Sequence, residues 1–203
     1  MIEINQMRVR LTFREEVLGM MPASAEVYSE YIAKNAPDAK TREEEIEEFG
    51  VDGVVEKSLT VFPRTEDGRP HLFDYQIRGM FKDNCGGLAR VKSTKSSTLK
   101  AYKKVIDQTI FVAERKIPLI LPEGAEIGVC QRPLRAQTAQ GERIALAASE
   151  TVPAGSMIEF TIEYYDPKHQ ELILEWLEHG YRHGLGQWRN SGKGSFTYEV
   201  ISD

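Results

Sequence analysis

Residues 184–194 read GLGQWRNSGKG, in which four glycines follow the spacing G-x-G-x5-G-x-G. Glycine has no Cβ, so the backbone at these positions can approach a ligand closely. Arg189 and Lys193 are side chains that form strong charge-assisted hydrogen bonds with phosphate. Trp188 adds a ring on which a nucleic-acid base can stack. The chemistry that this segment indicates is the binding of a ligand that carries phosphate.

The elements on either side of the segment restrict the kind of phosphate site. MIEFTIEYY (157–165) alternates like a strand, and Asp166 with Pro167 predicts a helix that starts there and ends before the glycines. SFTYEVI (195–201) alternates again and predicts a closing strand. Nucleotide-binding loops instead lie between a strand and the N-terminus of the next helix. The order found here excludes a dinucleotide-binding fold and a Walker ATPase.

Charge is distributed unevenly along the chain. The formal net charge of −5 argues against a protein that coats nucleic acid by bulk electrostatics. TREEEIEEFGVD (41–52) is strongly acidic, whereas LARVKSTKSSTLKAYKK (88–104) contains six cations and no acid. A local basic surface is therefore expected in spite of the negative total.

The predicted fold is α+β and forms a single domain over residues 1–203. RVRLTF (8–13) alternates as an opening core strand. A helical insertion is predicted near 23–50, and the polar, Gly-bearing stretch QRPLRAQTAQGER predicts a long polar loop near 131–143.

Neither a metal nor a cofactor is predicted. Cys85 and Cys130 lie in separate segments without CxxC or His-rich spacing. No window approaches the ~18 apolar residues of a membrane span, and the N-terminus lacks the apolar core of a signal peptide. We therefore expect a cytoplasmic protein without a cofactor, and no membrane partner.

Catalysis has little support in the sequence. No Ser-His-Asp order, HExxH motif or paired carboxylate motif is present. Of the four histidines, only His183 adjoins the glycine segment, which makes it a weak catalytic candidate. A non-catalytic binding protein is the favoured interpretation.

GLGQWRNSGKG, placed after an amphipathic helix and before the last strand, resembles the glycine-rich signature of the RAMP (repeat-associated mysterious protein) superfamily. This superfamily contains RNA-binding subunits and guide-processing endonucleases of CRISPR systems. SETVPAGSMIEFTI (149–162) and FDYQIRGMFKD (73–83) resemble segments of its effector backbone-type subunits. The chain departs from the pattern at Gln76–Gly79, where usual members have GSSLKG. It also resembles uncharacterised proteins of phages and prophages, which would act in the host cytoplasm.

The resemblance implies a ferredoxin-like (RRM-like) antiparallel sheet, with helices packed on one face and with insertions. It also implies RNA or single-stranded nucleic acid as the partner, with a homo-oligomer or other effector-complex subunits as further partners. The residues predicted to bind nucleic acid are the loop positions and nearby arginines: Gly184, Gly186, Trp188, Arg189, Gly192, Lys193, Gly194, Arg182, Arg132 and Arg135. Lys92 to Lys104 would extend this surface.

Two alternatives stay open. The first is a phage or CRISPR-like assembly subunit that binds no nucleic acid and uses the glycine loop for subunit contacts. In it, the acidic segment 41–52 meets a basic partner or the segment 88–104 of a neighbour. The second is a metal-independent endoribonuclease.

Overall fold

A computed structural model of the chain describes residues 3–23, 59–138 and 141–202. The chain divides into two compact units, where a single domain was predicted. The first consists of Met1–Val17, Pro63–Glu126 and Val152–Asp203. The second consists of Leu18–Phe62 and Ile127–Thr151. Most of the helical insertion predicted near 23–50 lies outside the described residues.

The described residues form strands and helices that are numbered in chain order. The strands are β1 (Asn5–Phe13), β2 (Val17–Leu18), β3 (Met21–Pro22), β4 (Thr60–Val61), β5 (His71–Phe73), β6 (Ile110–Val112), β7 (Lys116–Pro118), β8 (Gly128–Thr138), β9 (Gly141–Val152), β10 (Met157–Tyr164) and β11 (Phe196–Ser202). The helices are α1 (Asp74–Leu88), α2 (Tyr102–Thr109) and α3 (His169–His183).

The first unit is built on a four-stranded sheet in the order β11-β1-β10-β6, in which every neighbouring pair is antiparallel. Val9 at its centre pairs with Phe160 on one side and Val200 on the other. The chain order β1, α1, β6, β10, α3, β11 with this strand order is the ferredoxin-like arrangement. The predicted fold class is confirmed.

The core lies between this sheet and the helices. Alternate residues of β1 and β10 are buried, because successive side chains of a strand point to opposite faces. The apolar stripes of α1 and α3 are buried as well. The buried apolar side chains of these four elements are Met7, Val9, Leu11, Phe13, Ile77, Met80, Phe81, Cys85, Ile158, Phe160, Ile162, Tyr164, Leu172, Ile173, Trp176 and Leu177.

Trp176 connects α3 to α1 and to the segment between α1 and α2. Its side chain is fully buried, and its ring centroid lies 5.6 Å from that of Phe81 on α1. The indole N–H donates to Ser96 Oγ at 2.9 Å, and the backbone carbonyl accepts from Asn84 Nδ2 at 2.8 Å. Trp176 therefore packs as an apolar residue while its polar atoms remain paired.

Helix α3 begins at His169, two residues later than predicted. Asp166 and Pro167 instead form a turn before the helix. In this turn, Asp166 Oδ1 accepts a hydrogen bond from the amide of Lys168 at 3.0 Å. The aspartate side chain therefore caps the turn, and it bonds no helix amide.

The second unit contains a five-stranded sheet in the order β2-β9-β4-β3, with β8 paired to β9. β8 and β9 pair antiparallel from Gly128↔Thr151 to Thr138↔Gly141. The predicted polar loop at 131–143 was therefore wrong, because residues 131–138 belong to β8 and residues 141–143 belong to β9. Apolar alternation is the main sequence signal for a strand, and the Gln and Arg residues of this stretch conceal it.

A close contact between α3 and β11 sets their separation. A Cβ built on Gly180 would lie 1.9 Å from Cζ of Phe196. The Phe196 ring is fully buried and packs edge-on against Phe13, with ring centroids 6.3 Å apart. The helix can approach the sheet at this point only because residue 180 has no side chain.

Gly180→Ala is expected to destabilise the protein by about 1–3 kcal/mol, because the added methyl group forces the Phe196 ring out of its packed position. Gly79→Ala on α1 is the matched control. A Cβ there meets nothing within 4 Å, so this change should stabilise the helix by about 0.5–1 kcal/mol. The free energy of unfolding from urea denaturation measures both. Equal effects of the two substitutions would contradict the packing that we describe.

A buried histidine makes stability depend on pH. His71 on β5 is buried, and within the described part of the chain neither ring nitrogen has a hydrogen-bond partner. Burial lowers the pKa of His71, and the positive charges of Lys116 and Arg64 lower it further. The folded state therefore holds His71 neutral, whereas the unfolded chain takes up a proton below about pH 6.5. The contribution of His71 to the stability of the folded state is therefore complete above about pH 6.5. It is lost as the pH falls toward the lower pKa that His71 has in the folded state.

The melting temperature of the wild type is expected to fall between pH 7.5 and pH 5.5. His71→Leu removes the ring that must stay neutral, so its melting temperature should fall by a smaller amount. Circular dichroism at both pH values measures the two differences. A fall of the same size in both proteins would show that His71 contributes nothing to the acid sensitivity.

Candidate nucleic-acid interface

The face of the four-stranded sheet that lies opposite the core is covered by ion pairs. Arg10 contacts Glu159 at 2.7 Å and Glu199 at 3.4 Å, and Arg8 contacts Glu159 at 3.2 Å. Gln6 donates to Glu163 at 2.8 Å. The hydrogen bond from Arg10 is the main reason that the pKa of Glu159 is lowered.

This face does not suit RRM-type recognition of RNA. RRM domains stack bases on aromatic side chains of the sheet. The outward positions of β1 and β10 hold only charged and polar side chains and one methionine: Gln6, Arg8, Arg10, Thr12, Met157, Glu159, Thr161 and Glu163. The central strands thus offer no ring for a base, and another surface of the unit must be considered.

The glycine segment 184–194 is a closed loop between α3 and β11. The amide of Leu185 donates to the carbonyl of Gly194 at 2.9 Å, and the amide of Gly194 donates to the carbonyl of Glu16 at 2.9 Å. A Cβ on Gly184 would lie 2.6 Å from the carbonyl oxygen of Lys193, and one on Gly194 would lie 1.8 Å from that of Leu185. Gly184 and Gly194 are therefore required where the two arms of the loop touch.

The other two glycines have a different role. Gly186 and Gly192 have φ angles of 97° and 87°, in the left-handed region that favours glycine. A Cβ on Gly192 would meet nothing within 4 Å. The left-handed backbone conformation alone explains why residue 192 is a glycine. At Gly184 and Gly194, close backbone contacts also exclude a side chain.

Trp188 also has a left-handed backbone, with φ 55°, and its side chain is 41% exposed. The short 3₁₀ turn Arg189–Ser191 follows it, and the hydroxyl of Ser191 donates to the carbonyl of Trp188 at 2.8 Å. For a residue with a Cβ, this conformation costs about 1–2 kcal/mol. The loop therefore keeps a large exposed ring in a backbone conformation that glycine would adopt at lower cost.

The two loop cations are paired within the chain. Arg189 Nη2 lies 2.5 Å from Asp83 Oδ2 on α1, and Lys193 Nζ lies 2.8 Å from Glu16 Oε1. These carboxylates reduce the positive potential that the sequence predicts for the loop. Both pairs lie at the surface and are partly exposed, and surface ion pairs contribute about 0–1 kcal/mol, so a phosphate can displace the carboxylate at small cost.

A cluster of two arginines and one tyrosine lies beside the loop, and the sequence patterns did not predict it. The guanidinium of Arg14 lies 3.9 Å from the centre of the Tyr181 ring, and that of Arg182 lies 5.5 Å from it. The amide of Arg14 donates to the carbonyl of Ser195, immediately after the loop. Only the pairing of β1 with β11 brings Arg14 here, so no local pattern reveals it.

His183 lies in the last turn of α3, and its ring centroid is 5.4 Å from that of His179. Burial is the largest cause that lowers the pKa of His183, and Arg189 and His179 lower it further. His179 Nδ1 lies 3.3 Å from Asn84 Oδ1. A shallow pocket of 460 Å³ adjoins the pair and is lined by Leu88, Glu175, Glu178, His179, Tyr181 and Arg182. Both rings are thus held neutral near neutral pH.

The remaining predicted residues lie elsewhere in the chain. Arg132 and Arg135 belong to β8 in the second unit, whereas the loop and Arg182 belong to the first. The Arg132 side chain is buried, with 8% exposed, because it is part of the hairpin sheet. An exposed loop arginine at this position was therefore a wrong expectation. Within the first unit, the predicted residues of 182–194 lie together at the end of α3 and in the loop that follows it.

The ferredoxin-like arrangement of the first unit places the glycine loop between α3 and β11, and a comparison with solved structures finds chains of similar fold. A chain from type III-B Cmr-beta bound to cognate target RNA matches with a TM-score of 0.53 and 11% identity, over 98% of this chain and 60% of that chain. Cmr6 from Pyrococcus furiosus matches with a TM-score of 0.47 and 11% identity, over 98% of this chain and 100% of that chain.

At 11% identity, the likeness to the Cmr-beta chain shows the fold alone. The chain spans 60% of the length of that Cmr-beta chain. No family model matches the sequence, and no curated protein matches it either.

None of the helices in residues 3–23, 59–138 and 141–202 has both the length and the apolar character that crossing a membrane requires.

Two loop glycines provide a matched test of the loop geometry. Gly194→Ala places a Cβ against the carbonyl of Leu185, which belongs to the backbone and cannot rotate away, so a loss of about 3 kcal/mol in stability is expected. Gly192→Ala adds only left-handed strain and should cost about 1 kcal/mol. Urea denaturation measures both values. Should Gly192→Ala cost as much as Gly194→Ala, the closing contact is not as described.

Proposed function

We propose that the chain is a non-catalytic RNA-binding protein of RAMP type, and that the loop 184–194 contacts the RNA. The conformation and exposure of Trp188 carry this proposal. The likeness in fold to a Cmr-beta chain whose structure holds cognate target RNA supports RNA as the class of ligand. Subunits of an effector complex are the proposed protein partners.

Trp188 combines a left-handed backbone conformation with a partly exposed ring. The close backbone contacts that shut the loop are made by Gly184 and Gly194. Trp188 is 41% exposed, so part of the stabilisation that full burial of a tryptophan provides is not obtained. Backbone strain that is retained in this way is concentrated at functional sites. An exposed aromatic ring on a rigid loop is the platform on which an unpaired base stacks.

The cations beside Trp188 suit the phosphates of the same strand. Arg14 and Arg182 are exposed next to the loop. Arg189 and Lys193 hold their carboxylate partners by exposed ion pairs, which salt weakens and a polyanion replaces. In this proposal, stacking on Trp188 orients a base, and the arginines position the phosphate backbone of the RNA. Neither role requires catalysis.

Trp188→Ala is expected to weaken the binding of single-stranded RNA by about 5- to 150-fold, because stacking of one base contributes about 1–3 kcal/mol. The measurement is fluorescence anisotropy with a labelled 20-nucleotide poly-U strand at 50 mM KCl. Trp188→Tyr should retain most of the affinity, since it keeps an aromatic ring.

The matched control is Tyr165→Ala. Tyr165 is 37% exposed and follows β10 at the Asn5 end of the sheet, whereas the loop leads into β11 at the Phe13 end. Its removal should leave RNA affinity within about twofold of the wild type. Equal loss from Trp188→Ala and Tyr165→Ala, or no loss from either, would refute the assignment of the loop.

The internal ion pairs favour one other candidate function, an assembly subunit that binds no nucleic acid. Asp83 and Glu16 neutralise Arg189 and Lys193, as expected for a loop that meets a neutral protein surface. This candidate predicts that the wild type binds no RNA at 50 mM KCl. It also predicts that Trp188→Ala changes the mass measured by light scattering.

A further inference from the structure

The segment from the last residue of α1 to the first turn of α2 has a composition that the loop 184–194 does not explain. Residues 88–104 carry six cations and no acid. All six side chains are exposed: Arg90, Lys92, Lys95, Lys100, Lys103 and Lys104. In the part of the chain that the structure describes, Lys95 alone among them forms an ion pair, with Glu171. We call residues 88–104 the basic platform.

The hydroxyl groups of the basic platform hold its own backbone. The Thr94 hydroxyl lies 2.8 Å from the carbonyl oxygens of both Leu88 and Val91. Ser97 Oγ donates to the carbonyl of Thr94 at 2.6 Å, and Thr98 Oγ1 donates to that of Lys95 at 2.8 Å. These serines and threonines therefore brace the segment, and the lysines are not needed for that purpose.

A carboxylate on α3 fixes the basic platform to the rest of the unit. Glu175 accepts from the amides of Lys95 and Ser96 at 2.7 and 3.0 Å, and from the Ser96 hydroxyl at 2.5 Å. Ser96 is fully buried and also accepts from the indole of Trp176. The backbone that carries the cations is thus ordered before binding. This order reduces the conformational entropy that the protein loses when it binds a ligand.

The chemistry of this surface fits a polyanion better than a folded protein. Lysine is depleted from protein interfaces, whose centres are apolar or aromatic. Val91 is the exposed large apolar side chain of the basic platform. The hydroxyl groups of Thr94, Ser97 and Thr98 donate to carbonyls, so the cations are the main binding groups, and they contact phosphates without distinguishing bases.

We propose that the basic platform is a second RNA-binding surface, which holds the phosphate backbone of the strand whose base stacks on Trp188. This inference rests on the proposed function for the identity of the polyanion. It adds a surface outside the loop 184–194, and this surface is distinguished by its effect on the salt dependence of binding. Phosphate contacts release counterions and set the salt dependence of binding, whereas stacking does not.

The test is the salt dependence of RNA binding by Lys100→Gln/Lys103→Gln in the full chain. The slope of log Kobs against log[KCl] should become less steep by about 1.4, since each phosphate contact with a single strand contributes about 0.7. The loss of affinity between 50 and 200 mM KCl should then be about sevenfold smaller than for the wild type. Anisotropy with the labelled poly-U strand provides the measurement.

The matched control is Arg69→Gln/Lys116→Gln, which removes two exposed positive charges of the same unit outside the basic platform. Its slope should stay within about 0.3 of the wild type. All four positions are exposed, so both variants should fold, and their melting temperatures check this. A slope change of equal size in the two variants overturns the proposal, because net charge would then explain it.

The remaining outcomes separate this inference from the proposed function. Trp188→Ala should lower the affinity without changing the slope. If Trp188→Ala weakens binding while Lys100→Gln/Lys103→Gln keeps the wild-type slope, the basic platform is refuted and the loop assignment stands. If the lysine variant changes the slope while Trp188→Ala has no effect, the loop assignment fails and the basic platform stands. If the wild type binds no RNA at 50 mM KCl, both fail, and loss of a dimer in the lysine variant would assign the surface to protein contacts.

Discussion

The hydrogen bonds among Glu175, Ser96 and Trp176 hold the helical layer of the first unit together. The Ser96 hydroxyl donates to the carboxylate and accepts from the indole, so one buried group satisfies two neighbours. Without Ser96, the N–H of Trp176 would be buried and unpaired, at a cost of about 1–3 kcal/mol. The same interaction orders the segment between α1 and α2. Packing of the core and presentation of the lysines therefore depend on one serine.

The sequence predicts the sheet of the first unit well, because its strands are buried on one face and alternate clearly. β1, β10 and β11 all follow from this alternation, and α3 follows from its apolar stripe. The failures have physical causes. The hairpin of β8 and β9 is rich in polar residues over 131–143, so it shows no apolar alternation.

The candidate site is predictable only in outline. The glycine spacing locates the loop. It does not show that Gly184 and Gly194 are required by close backbone contacts, whereas Gly192 is required by its left-handed conformation. Arg189 finds its carboxylate partner 106 residues away in the chain, so its partial neutralisation is invisible in the motif. The stacking of Arg14 on Tyr181 depends in the same way on strand pairing. Local motifs thus indicate where a site lies, and the fold decides its charge.

The pairing of β1 has a consequence for the order in which the protein can fold during synthesis. β1 is central in its sheet, yet both of its partners, β10 and β11, come from the last part of the described chain. The backbone N–H and C=O groups along both edges of β1 therefore lack their strand partners until residues beyond Met157 have left the ribosome. At about 5–20 residues per second, this interval is roughly 7–30 s. For that time the nascent chain exposes an unpaired apolar strand, which is the type of segment that chaperones bind and that aggregation recruits.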